Sequence, residues 1–141
     1  MKPAPELERR RRATEKTMGK FRNKEFDWRY KRTCAHLAFY HARAMGKRLP
    51  KVPQFRSAVG AKRALSGLGH DSLIGLLDAH LERIPPAMMR LGDLCAFEGT
   101  EGLDGVGVYI AQRKIAAWRE DEPRLVVLEI SLDEPKAAWR L

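Results

Sequence analysis

The sequence predicts an α+β domain, helical in its first half and built on a small antiparallel sheet in its second. Three observations carry that expectation. Up to about residue 82 the apolar residues recur at helical spacing, and after Pro85-Pro86 they gather in short β-rich runs. Gly, Asp and Glu separate those runs as turn residues do. At 141 residues, with 44% hydrophobic content and three Trp, the chain has material for one modest core and is not a disordered segment.

The elements follow in order. Pro3 and Pro5 keep residues 1–5 a loose leader. A helix is expected over 6–21, with Leu7, Thr14, Met18 and Phe21 on its apolar stripe and Arg9, Arg10, Arg11, Arg12 and Lys16 on its surface. The stripe is thin, which places this helix on the domain rather than within it. Residues 1–21 therefore read as a basic N-terminal helix with a leader, and 22–141 as a single α+β unit. Phe26, Trp28 and Tyr30 alternate with charged residues, as an extended segment would. Thr33 is a good N-cap, 35–45 contains nothing that opposes a helix, and Gly46 stands where a C′ glycine stops one. Residues 47–53 read as a loop. A short helix is expected over 55–65, closed by Gly67 and Gly69, and a clearer one from a cap at Asp71 or Ser72 to about Glu82. Strands are expected at 94–97, 106–110, 115–118 and 125–130, with a further piece at 138–141.

Composition narrows the function classes. No run approaches the ~18 apolar residues of a membrane helix, and the charged N-terminus lacks the apolar stretch of a secretory signal. Cys34 and Cys95 make no disulfide framework, and no paired Cys or His spacing points to zinc, so no metal or cofactor is expected. The net charge of +9 is unevenly placed: residues 1–66 hold 19 Lys and Arg against 5 Asp and Glu, and residues 67–141 hold 8 against 13. Such asymmetry fits nucleic-acid binding, although no zinc finger, aromatic RNA-binding signature or Gly-rich phosphate loop accompanies it. It equally fits a two-faced protein docked between oppositely charged neighbours.

Cys34 is the one candidate nucleophile. In the first turn of a helix, unpaired backbone N–H groups and the helix dipole favour a thiolate, and Arg29, Lys31 and Arg32 add positive charge. The alternative is that Cys34 packs as a small hydrophobe, as most free cysteines do. His41 lies seven residues on, about 10 Å along the axis, too far to act as its base. His36 points to another side of the same helix.

Three pieces, in this order, resemble the NlpC-type cell-wall peptidases, a branch of the papain-like cysteine peptidases. They are the aromatic lead into Cys34 at a helix start, the stretch Leu91-Gly92-Asp93-Leu94-Cys95-Ala96-Phe97, and Asp104-Gly105-Val106-Gly107-Val108-Tyr109-Ile110. The resemblance covers roughly residues 22–118 and implies a papain-like NlpC-type fold. More closely, Phe26-Asp27-Trp28 and the closing Ala137-Ala138-Trp139-Arg140 resemble a small family of domains of unknown function encoded among tail genes of long-tailed phages and gene transfer agents. The resemblance places the nucleophile at Cys34, the base at Gly105, and a third polar residue near Ala116 and Ala117. Only the first of these is a reactive side chain. His70 and His80 come from other parts of the chain, and their reaching Cys34 would require an unusual rearrangement.

The expectation is therefore a peptidase-like domain that has lost its base and serves as a structural or assembly part of a phage tail, at the tip or baseplate. Its partners would be other tail proteins, and its place the virion after assembly in the host cytoplasm. Arg9, Arg10, Arg11 and Arg12, with Lys47, Arg48 and Lys51 and the interspersed Leu49 and Val52, are the expected partner-binding residues. The alternatives are an active cysteine endopeptidase or amidase acting on peptidoglycan during phage entry and, more weakly, a nucleic-acid-binding protein.

Overall fold

A computed structural model describes residues 5–99, 102–119 and 121–141; the expected leader lies almost wholly outside them. The described residues form four α-helices and six strands: α1 (Glu6–Phe21), α2 (Cys34–Ala44), α3 (Ala58–Gly67), α4 (Leu73–His80), β1 (Glu82–Ile84), β2 (Leu94–Phe97), β3 (Gly105–Ala111), β4 (Lys114–Arg119), β5 (Glu122–Glu129) and β6 (Ala137–Arg140). The strands make one antiparallel sheet in the order β1-β6-β2-β3-β4-β5. The fold is α+β.

Local chemistry sets the helix limits. The hydroxyls of Thr33, Ser57 and Ser72 accept from the backbone N–H groups of His36, Gly60 and Gly75 at the starts of α2, α3 and α4. Gly46, in the left-handed region at φ 81°, stops α2. Three expectations need correction. Phe55 is not helical; its ring lies buried in the core ahead of α3. The helix expected to reach Glu82 ends at His80, and Glu82 opens β1, a strand before the two prolines that pairs with β6. Residues 28–31 form a turn, because Asp27 and Arg32 exchange both backbone hydrogen bonds, at 2.8 and 2.9 Å, and the Asp27 carboxylate accepts from the N–H of Arg29.

Strand alternation gives the sheet two apolar faces. Leu94, Ala96, Val106, Val108, Ala116, Trp118 and Trp139 pack under the helices with Leu37, Ala38, Leu76 and Leu77. Cys95, Ile115, Ala117 and Ala138 face the other way, beneath Ile84, Met89 and Ile130. The Trp139 indole is fully buried, and its N–H donates to Asp78 at 2.9 Å. Its place in the Ala137–Arg140 motif is thus explained by the core.

The first helix is bound into the fold rather than laid upon it. Leu7, expected on its apolar stripe, is 69% exposed, and the inward face is Arg10, Ala13, Thr14, Thr17 and Phe21. Arg10, expected at the surface, is 3% exposed. Its guanidinium donates to Asp93 at 2.9 Å, to the carbonyl of Leu91 at 2.8 Å and to that of Leu141 at 2.6 Å. Asp93, wholly buried, also accepts from the backbone N–H of Arg90 and Leu141. A buried ion pair is tolerated where hydrogen bonds satisfy the remaining polar atoms, and these do. Asp93 of the Gly92-Asp93-Leu94 motif is therefore a structural clamp.

Candidate active-site cleft

The turn after Asp27 and the Thr33 cap deliver Cys34 to the first position of α2, where its side chain lines a cleft of about 900 Å³. The walls include Trp28, Phe55, Trp118, Phe97 and the start of β3 at Asp104 and Gly105. Phe26, Trp28, Phe55 and Trp118 are joined by edge-to-face contacts with ring centroids 5.5–6.0 Å apart, which fix one aromatic wall. The Cys34 thiol is half-buried and close enough to Val106 to feel its backbone N–H. Cysteine and β3 thus meet where the resemblance puts nucleophile and base.

The chemistry at that meeting point departs from the expectation of a favoured thiolate. Burial pushes the Cys34 thiol above the ordinary thiol range and outweighs the backbone N–H groups of Val106 and Cys34, which pull it down.

The expected base position is closed by packing. Gly105 pairs with Phe97 across β2 and β3, and a Cβ at residue 105 would lie 2.7 Å from Cδ2 and 3.0 Å from Cζ of the Phe97 ring. Ala116 and Ala117, where the third polar residue is expected, are both fully buried in apolar surroundings on opposite faces of the sheet. Asp104, which opens the third resembling stretch, accepts from the backbone N–H of Ile74 at 3.2 Å and from Lys136 at 3.4 Å. It pins the start of β3 to the start of α4.

Among the described residues no histidine lines the cleft. The His36 Nδ1 shares a hydrogen bond with the Thr33 hydroxyl at 2.8 Å, and its ring stacks on Phe55 at 4.6 Å. Burial, aided by the charge of Lys31, lowers its pKa to about 4. His41 is fully buried between Thr17 and the carbonyl of Gly92, each at 2.7 Å. Its Nε2 must donate to that carbonyl, so Nδ1 accepts the Thr17 hydroxyl in the neutral ring. Burial lowers its pKa to about 4. His70 and His80 face one another at 6.5 Å between ring centroids, beside α4.

The expected partner-binding residues are dispersed. Arg9 donates to the carbonyl of Met45 at the end of α2 and pairs with Glu6, while Arg10 is the buried clamp. Arg11 and Arg12 are exposed, with carboxylates from Glu8 and Glu15 against them. Arg48 and Lys51 are exposed and Lys47 is half-buried, and Leu49 and Val52 beside them are half-buried against the core. Among the described residues no group of three His, Cys, Asp or Glu could hold a metal, and no helix is long and apolar enough to cross a membrane.

This α+β fold, a six-stranded antiparallel sheet under helices, matches that of NlpC/P60 proteins of known structure. A Bacillus cereus NlpC/P60 family protein superposes with a TM-score of 0.60 at 14% identity over 98% of this chain, which spans 41% of that protein. The peptidoglycan hydrolase RipB of Mycobacterium tuberculosis gives a TM-score of 0.57 at 16% identity, covering 97% of this chain and 68% of RipB. A hypothetical invasion protein of the same organism gives 0.58 at 15% identity, covering 98% and 65%. These likenesses establish the fold. The chain itself belongs to the family described as Domain of unknown function (DUF6950), whose model matches residues 6–141. No curated protein matches it in sequence.

Proposed function

We propose that this domain is a cysteine-peptidase-like fold that has given up its base and works as a structural or assembly component of a phage tail, at the tip or baseplate. The observation that carries the loss of chemistry is the Phe97 ring against Gly105, at the position where the fold would present an imidazole. Without a group to take the thiol proton and return it to a leaving amine, a papain-like cycle has no second half. Support for the tail assignment is narrower. It rests on the Phe26-Asp27-Trp28 and Ala137–Arg140 motifs and on a charge distribution suited to oppositely charged neighbours. In this reading the partners are hub or baseplate proteins and the location is the virion.

An active peptidoglycan peptidase is the second reading, favoured by the open cleft at Cys34 and by the name of the RipB neighbour. Two measurements on one protein separate them: immunodetection in purified particles, and release of peptides from peptidoglycan. The structural reading expects a fixed copy number per particle and no release. Release that disappears in Cys34→Ala would replace it with the enzyme reading, and absence from particles would remove the tail role.

A further inference from the structure

A second groove, of about 460 Å³, runs between the end of α1, the 28–31 turn, α2 and the stretch 52–56. Lys20 and Lys24, the turn cations Arg29, Lys31 and Arg32, and Arg43 and Arg56 line it, with no Asp or Glu among the lining residues. Their charges are scarcely met inside the described chain. Of the seven, Arg32 alone has a carboxylate within 4.0 Å, Asp27 at 3.8 Å, and its buried Nε has no hydrogen-bond partner among the described residues. The arginines of α1 are different, because Glu6, Glu8 and Glu15 lie against them at 2.6–3.0 Å. Part of the positive excess of the first half is thus gathered here rather than on Arg9–Arg12. Gathering seven cations in one concave site raises the local potential and attracts an anionic partner.

We propose that this groove docks an acidic, extended segment of a partner protein. The rings in the groove favour protein over nucleic acid. Single strands bind by stacking bases on several aromatic faces, and here Tyr40 and His36 already carry neighbours while Tyr30 is the ring that stays mostly exposed. Arg32 lies over Tyr30 at 5.5 Å, Lys20 lies over Tyr40 at 5.2 Å, and His36 stacks on Phe55. The arginines present forked donors that match carboxylates two at a time. Tyr30, 65% exposed on the turn beside Arg29, is the kind of residue that carries energy at a protein interface. The docking face deepens the assembly role proposed above and rests on that reading only for the partner's being a virion protein.

Fluorescence anisotropy with a labelled glutamate-rich peptide and with labelled oligothymidylate, at low and physiological salt, tests the proposal. The peptide should bind and weaken as salt rises. Reversal at Arg29→Glu, Arg43→Glu and Arg56→Glu together should lower its affinity by roughly tenfold or more. The milder triple change to Gln, less demanding of the fold, should lower it in the same direction, whereas Arg11→Glu with Arg12→Glu should change it by less than about twofold. No peptide binding, binding indifferent to the groove changes, or tighter groove-dependent binding of oligothymidylate would each overturn it. Failure here with the chain present in particles rejects the groove alone. Absence from particles rejects the tail role and leaves the peptide result standing.

Discussion

Phe97 and Gly105 are cross-strand partners, and the ring of one takes the space that any side chain of the other would need. Gly105→His should therefore destabilise the domain by ~1–3 kcal/mol through overpacking. Adding Phe97→Ala should recover part of that loss. Urea unfolding of the two single variants and the double gives the coupling. Additive costs would show that the ring does not close the position.

Cys34 should behave as a packed thiol. Its burial predicts slow alkylation at pH 7, with the rate climbing only above the ordinary thiol range. Cys34→Ala should cost at most about 1 kcal/mol in stability and leave particle incorporation unchanged. Rapid iodoacetamide labelling at neutral pH would contradict both expectations.

The four consecutive arginines should separate sharply in stability measurements. Arg10→Ala leaves the Asp93 carboxylate buried without its guanidinium, a loss of ~3–5 kcal/mol. Arg11→Ala and Arg12→Ala remove exposed pairs and should each stay within ~0.5 kcal/mol. Denaturant midpoints for the three variants decide it, and similar values would dissolve the clamp.

The pH dependence follows from His41. Its folded pKa of about 4 lies below the ordinary histidine value of 6.5, so the unfolded chain takes up the proton first as pH falls. Its contribution is complete above about pH 6.5 and is lost on the way down to about pH 4, amounting to something of order 3 kcal/mol. His36 adds a smaller loss in the same window because it is more exposed. Unfolding free energies at pH 7 and pH 4.5 should differ accordingly, and His41→Gln should flatten the difference.

What could be read from the sequence was what neighbours in sequence decide. Thr33 and Gly46 mark the two ends of α2 through local hydrogen bonding, and the runs around Leu94, Val106, Ile115 and Leu125 carry their own strand pattern. Position 105 in the candidate site was legible too, because a motif locates it. What fills that position was not, since Phe97 reaches it only once β2 and β3 pair. Three residues at Glu82–Ile84 are too few to show an alternation, and only β6 makes them a strand. A run of four arginines looks solvated until Asp93 and Leu141 supply acceptors for the second. The basic groove draws its cations from four separate segments, so no stretch of sequence displays it.

The Arg10 clamp also has a consequence for biosynthesis. Arg10 and Leu141 are 131 residues apart, yet they share the anchor at Asp93 with a strand that completes the middle of the sheet. Loop closure over such a separation comes late and slows folding. On the ribosome, the Arg10 guanidinium stays hydrated and cannot complete its clamp until residue 141 has cleared the exit tunnel. A chain stalled before β6 lacks the strand that joins β1 to β2, and would present the open edge of β2 to chaperones.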